Sequence, residues 1–160
     1  MKLESVSIII PEGCNVIIGH THFIKSVEDL YEALVESGTA LKFGIAFCEA
    51  SQECLVRSDG NDEELIKHAE TEALKIGAGH TFVIFLKEGY PVNVLNRIKD
   101  VSEVCSVYTA TANPVEIVYA DTENGRAILG LADGMRSAGI EKEEDKKKRM
   151  EFLRKIGYKR

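Results

Sequence analysis

The sequence predicts an α+β fold: one domain built on a mixed sheet, with at least one antiparallel hairpin and three to four helices. Three observations carry this. Apolar runs of strand length alternate along the chain with segments whose apolar residues recur at helical spacing. Asn124-Gly125, inside "DTENGR", lies between two such runs, the spacing and turn chemistry of a tight hairpin. A chain of 160 residues that is 44% hydrophobic can bury one core, and is short for two.

The elements follow in order. Leu3 to Ile10 alternates as a strand, Pro11-Glu12-Gly13 turns, and Asn15 to Ile18 begins a second apolar run. Ser26 with Asp29 three residues on is a capping signal for a helix carrying Leu30, Ala33 and Leu34, which Gly38 closes. "LKFGIAFCEAS" reads as a strand ending at Glu49, with a shorter polar strand around Leu55 to Arg57. The clearest helix lies in "DGNDEELIKHAETEALKIGAG": Asn61 is placed to cap it, Glu64 to reach back, Leu65, Ala69, Ala73 and Leu74 to form its apolar stripe, and Gly77 to end it. "HTFVIFL" is a buried strand. Pro91 suits the first turn of a helix running to about Lys99, with Val92, Leu95 and Ile98 inward. Val104 to Thr109 is a strand, and Val115 to Asp121 and Arg126 to Leu131 are the arms of the hairpin at about 115–131.

From about 141 to 156 the sequence predicts a charged terminal helix. Residues 141–160 hold nine Lys/Arg and five Asp/Glu, a local +4, so residues 1–140 carry −10 of the total of −6. The segment starts acidic and turns basic, which complements a helix macrodipole. The acidic balance of the rest argues against a nucleic-acid partner, because binding the phosphate backbone takes clustered positive charge. No apolar run is long enough to span a bilayer, and "MKLESVSIIIPEG" lacks the apolar centre of a signal peptide, so no membrane partner and a cytoplasmic location are expected. Cys14, Cys48, Cys54 and Cys105 form no C-x-x-C pair and read as reduced thiols.

The chain has no phosphate loop of the G-x-x-x-x-G-K-[ST] type, no G-x-G-x-x-G opening a helix, no H-E-x-x-H and no paired-cysteine zinc site. "GHTHF" would put His20 and His22 on one face of a shared strand, where two imidazoles could hold a metal, but spacing supplies no third ligand. His80 follows Gly77-Ala78-Gly79 where a loop becomes a strand, a position either for a hydrogen-bonded structural histidine or for one facing a ligand. Glu49, Asn113 and Asp133 end or follow strands and could converge on a cleft, although turn chemistry alone favours such residues there. Arg57 and Arg126 could grip a phosphate or lie solvated on the surface. His68, mid-helix beside Lys67, reads as solvent-facing.

The segments "KFGIAFCEAS", "GNDEEL", "IGAGHTFVIFL", "PVNVLNRIK", "EVCSVYTATANPVEIV" and "GRAILGLADG", in this order, resemble the adenosine-specific kinase family of archaea and thermophilic bacteria. The resemblance runs from about Phe43 to Gly134 and extends to the charged ending "RMEFLRKIGYKR". The family pattern leads us to expect a glycine and a basic residue where this chain has Gln52-Glu53. The resemblance implies a cytoplasmic homo-oligomer, trimer or hexamer, that binds adenosine or AMP, with a histidine able to carry a phosphoryl group. His80 is then the phosphoacceptor, with His20 and His22 as competitors. Glu49 or Asp133 would take the ribose proton or hold Mg²⁺, and the resemblance itself fixes no cofactor. Arg126 would neutralise charge, Thr111 and Asn113 would position the nucleoside, and Gly79 and Asn93 would complete the nucleoside and phosphate contacts. A sensor of adenosine or AMP without turnover, and a metal-dependent hydrolase built on His20 and His22, are the other readings. The high Lys and Glu content fits a thermophile.

Overall fold

In the computed structural model, which describes residues 2–160, the elements run β1 (Lys2–Ile8), β2 (Asn15–Thr21), α1 (Ser26–Val35), β3 (Lys42–Cys48), β4 (Val56–Gly60), α2 (Glu63–Ile76), β5 (Thr81–Lys87), α3 (Pro91–Asp100), β6 (Val104–Thr111), β7 (Val115–Asp121), β8 (Arg126–Asp133) and α4 (Glu143–Lys155). The α+β class, the four helices and the hairpin are those the sequence predicts. The sheet differs in one detail. There are two sheets, of order β4-β3-β5-β2-β6 and β1-β7-β8, and every ladder in both is antiparallel. The sheet expected to be mixed is antiparallel throughout, because β5 inserts between β3 and β2 and runs opposite to both.

The five-stranded sheet is covered on both faces. On one, Ile17, Phe43, Ile45, Phe82 and Ile84 pack with Leu30 and Leu34 of α1 and Val94 and Ile98 of α3. On the other, Val16, Ile18, Ala46, Val83 and Phe85 pack with Leu65, Ala69, Ala73 and Ile76 of α2 and with Val115 and Ile117 of the smaller sheet. Burial on both faces is why β5 is apolar without alternation. Each such side chain contributes about 1.5–3 kcal/mol on leaving water. Helix α2 lies unusually close to β3: a Cβ on Gly44 would stand 2.2 Å from the carbonyl carbon of Leu65. That contact, in the first turn of α2, seats the start of the helix against β3.

Local assignments shift where a side chain has a better partner. Asp62, rather than Asn61, caps α2 by accepting from the Leu65 N–H. The Asn61 amide is drawn to the strand edge, accepting from Phe43 N–H and donating to Leu41 O, both at 2.8 Å. The Ser26 hydroxyl makes no cap and meets Thr21 Oγ1 at 2.5 Å in a buried site. Val94, not Val92, is the buried valine of α3, and Leu74 of α2 is exposed while Ile76 is buried. His68 is half-buried: its Nε2 lies 2.6 Å from Ile9 O and its ring meets Phe85 edge-on. All four cysteines are free, and burial pushes the Cys48 thiol up to about 11.

After Asp133 the chain leaves the body, and α4, which buries no side chain, forms the end of a C-terminal arm. Among the described residues no helix is long and apolar enough to cross a membrane.

Candidate functional site

The turn that ends α2 builds the site. Gly77 takes the left-handed conformation that closes the helix, and Gly79 passes so near the β3–β4 turn that a Cβ there would lie 2.9 Å from Ala50 Cβ. His80 follows with φ 65°, a conformation uncommon for a non-glycine residue. It is held there from both sides. Its N–H donates to Cys48 O at 2.7 Å and its carbonyl accepts from Thr21 N–H at 2.9 Å, so the ends of β3 and β2 together over-determine the backbone. The ring stacks on buried Phe47, centroids 5.9 Å apart at 17°, and stands edge-on to His20 at 5.8 Å. Burial, and then the neighbouring His80, push the His20 pKa below the ordinary histidine value. His20 is therefore neutral near pH 7.

Beside this turn lies a cleft of about 450 Å³, between the β3–β4 turn, the C-terminus of α2 and the β7–β8 hairpin. Glu49, Gly79 and Arg126 line it, with Leu74 and Asn124 among the others. Glu49 Oε2 accepts from Leu55 N–H at 3.1 Å and from Arg57 Nη2 at 3.0 Å. No donor among the described residues reaches Oε1, which is left for a ligand. Arg126 is fully engaged: Nε and Nη2 donate to the two Asp121 oxygens, Nη1 to Lys75 O and Ile76 O, and the guanidinium lies 3.9 Å above the Tyr119 ring. Its hydrogen bonds to Asp121 raise its pKa and lower that of the carboxylate. Arg126 thus clamps the hairpin to the carbonyl end of α2 and forms one wall of the cleft.

The remaining expected residues lie elsewhere. Asp133 accepts from Thr109 Oγ1 at 2.6 Å, Thr111 Oγ1 at 2.8 Å and Asn113 Nδ2 at 3.1 Å. Burial alone would raise its pKa, but these three hydrogen bonds outweigh it and hold the carboxyl below its usual range. In register, Thr111 pairs with Val16 whereas Thr81 pairs with His20, so the cluster sits at the opposite end of β2 from His80. There it joins the smaller sheet to the larger. Asn93 lies at the far end of β5, its Oδ1 accepting from Tyr90 N–H at the start of α3. His22 falls beyond the end of β2, exposed and stacked on Phe23, so it shares no strand face with His20. Among the described residues no group of three His, Cys, Asp or Glu is arranged to hold a metal. Glu49 Oε1 fits Mg²⁺ as a single carboxylate ligand, since that ion is held mainly by substrate phosphates and water.

Two features had no readable signal. Phe47 was one apolar residue in a strand, and nothing in the sequence marked it as the platform under His80. In the Ser51–Cys54 turn, Gln52 has φ 59° and Cys54 φ 52°. Gln52 stands where the family pattern led us to expect glycine, the residue this conformation favours.

The family model described as adenosine specific kinase matches residues 6–159. The crystal structure of PH1918 protein from Pyrococcus horikoshii OT3 is 48% identical, with 99% of this chain and 98% of that one covered and a TM-score of 0.95. Agreement at that level over the whole length includes the C-terminal arm. No curated protein matches.

Proposed function

The chain belongs to the adenosine-specific kinase family, and from that membership we propose that it binds adenosine or AMP in the cleft lined by Glu49, Gly79 and Arg126 and transfers a phosphoryl group by way of His80, acting as a cytoplasmic homo-oligomer. The observation that carries this reading is the backbone of His80, strained to φ 65° and pinned by two strands directly after Gly79, which lines the cleft. Such strain persists where a side chain must be aimed.

In the first half-reaction an imidazole nitrogen of His80 attacks the phosphorus of a phosphate donor. The P–N bond forms as the bond to the leaving oxygen breaks. The donor phosphate lies beside the Gly77-Ala78-Gly79 turn. In the second, a ribose hydroxyl attacks the phosphohistidine, the P–N bond breaks, and Glu49 Oε1 takes the hydroxyl proton. Phe47 keeps the imidazole plane fixed throughout, which supplies the positioning that phosphoryl transfer requires. Leu74, exposed at the cleft, offers apolar surface to the base. In the alternative role, Glu49 Oε1 would hold Mg²⁺ to neutralise phosphate charge instead of taking the proton.

One observation favours a second reading, a sensor of adenosine or AMP without turnover. Among the described residues Arg126 is the one cation lining the cleft, and all its donor nitrogens are already engaged, so a triphosphate finds little positive charge. Calorimetric titration with adenosine, AMP and ATP, together with transfer of label from γ-phosphate-labelled ATP, separates the two. Labelled protein and labelled AMP in the wild type, both lost in His80→Asn, support transfer. Saturable AMP binding with no label supports the sensor.

A further inference from the structure

The hairpin between β7 and β8 turns on Thr122-Glu123-Asn124-Gly125, and its backbone does not need the asparagine. Thr122 closes the turn. Its N–H and its Oγ1 both donate to Gly125 O at 2.8 Å, and Oγ1 accepts from the Asn124 N–H at 3.3 Å. In the tight turn that Asn-Gly favours, asparagine is preferred because it tolerates positive φ. Here the positive φ, 153°, falls on Gly125, and Asn124 does not share it. The Asn124 side chain is exposed, it lines the cleft beside Glu49, Gly79 and Arg126, and its amide has no hydrogen-bond partner among the described residues.

Among the described residues that line the cleft, four have a side-chain nitrogen or oxygen: Glu49, Thr122, Asn124 and Arg126. The others present glycine, alanine, aliphatic or thiol surface. An adenine edge sets a donor, the 6-amino group, beside a ring-nitrogen acceptor, so a side chain that reads it must accept and donate in one plane. Ionised Glu49 only accepts. The one hydroxyl proton of Thr122 is given to Gly125 O. Arg126 only donates, and each of its nitrogens already holds Asp121 or a carbonyl of α2. The Asn124 amide alone has both functions and both free. We propose that Asn124 is the specificity-determining residue of the cleft, its Oδ1 accepting from the adenine 6-amino group and its Nδ2 donating to N7. This rests on the nucleoside reading given above, in which the base lies against Leu74 and the ribose meets Glu49. The N7 edge is the selective one. Hypoxanthine presents two acceptors there, which one amide cannot match, whereas on the opposite edge a rotated amide would fit either base.

Titration calorimetry of the full chain with adenosine, inosine and 7-deazaadenosine, in which a C–H replaces N7, tests the assignment on the wild type, Asn124→Leu and Asn124→Asp. The wild type should bind adenosine roughly tenfold more tightly than either analogue. Asn124→Leu should bring adenosine down to the affinity of the analogues and bind all three nearly alike. Asn124→Asp keeps the acceptor and a turn-forming residue but sets a carboxylate against N7, so the order should invert, with 7-deazaadenosine bound more tightly than adenosine. A hairpin that merely loosened would weaken all three together and invert nothing. Because the Asn124 side chain is exposed and makes no hydrogen bond among the described residues, neither variant should move the thermal midpoint. Adenosine selectivity retained in Asn124→Leu would overturn the assignment and leave the nucleoside reading intact. So would a wild type that binds 7-deazaadenosine as tightly as adenosine. A wild type that binds none of the three would remove the nucleoside reading and the assignment with it.

Discussion

His20 and His80 meet edge to face, ring centroids 5.8 Å apart, at the point where β2 and β5 begin their ladder. Because burial and its neighbour lower the His20 pKa, the unfolded chain takes up that proton before the folded one does. Stability is therefore full above the ordinary histidine value of 6.5 and declines as pH falls from there towards the lowered value. Urea midpoints at about pH 7.5 and about pH 5 should show a smaller decline for His20→Gln than for the wild type. Equal declines would mean that His20 is not the responsible group.

The left-handed backbone of His80 separates its structural and chemical roles. Asparagine tolerates that conformation, so His80→Asn should lie within about 1 kcal/mol of wild-type stability while forming no phosphoenzyme. A β-branched residue does not, and His80→Val should cost about 1–2 kcal/mol. Thermal unfolding together with phosphate analysis of the intact protein reads both quantities.

Glu49 and Asp133 serve as a paired test of where the site lies. Glu49→Gln should weaken AMP binding by roughly tenfold, about 1.4 kcal/mol, with little change in stability. Asp133→Asn should cost about 1–2 kcal/mol of stability, since three donors lose their anionic acceptor, and leave AMP affinity unchanged. The reverse pattern in titration calorimetry and urea unfolding would move the nucleoside to the Thr109–Asp133 cluster.

Gly44 allows the close approach of α2. A methyl group there meets backbone atoms of Leu65 and Ile66, at 2.2 and 2.3 Å, which no rotamer change relieves. Gly44→Ala should destabilise by about 3 kcal/mol or more, because the first turn of α2 must move off β3. Near-wild-type unfolding would show that α2 can slide on the sheet.

Arg126→Lys keeps a charge but loses the fork that joins Asp121 to the end of α2. The hairpin wall should loosen, with AMP affinity down by roughly tenfold and a faster dissociation rate in stopped-flow displacement.

By itself the sequence determined the periodic elements, the hairpin at Asn124-Gly125, the end of α2 at Gly77, the charge division between body and arm, and His80 as the residue at the loop-to-strand junction. These depend on neighbours within a few positions, where spacing, caps and turn chemistry act directly. It suggested that Glu49, Asn113 and Asp133 could converge on a cleft because each ends or follows a strand, and the family resemblance added Thr111 and Asn93. Tertiary structure alone decided which element ends coincide. Strand order put β5 between β3 and β2, and that brought Glu49, Gly79, His80 and Arg126 to one end while leaving Asp133 and its hydroxyl donors at the other. The same long-range pairing aligned Phe47 under His80 and drew Asn61 and Ser26 away from capping. A polar side chain goes to the partner that best satisfies it once water is excluded, and that partner is set by the packing of segments far apart in the chain.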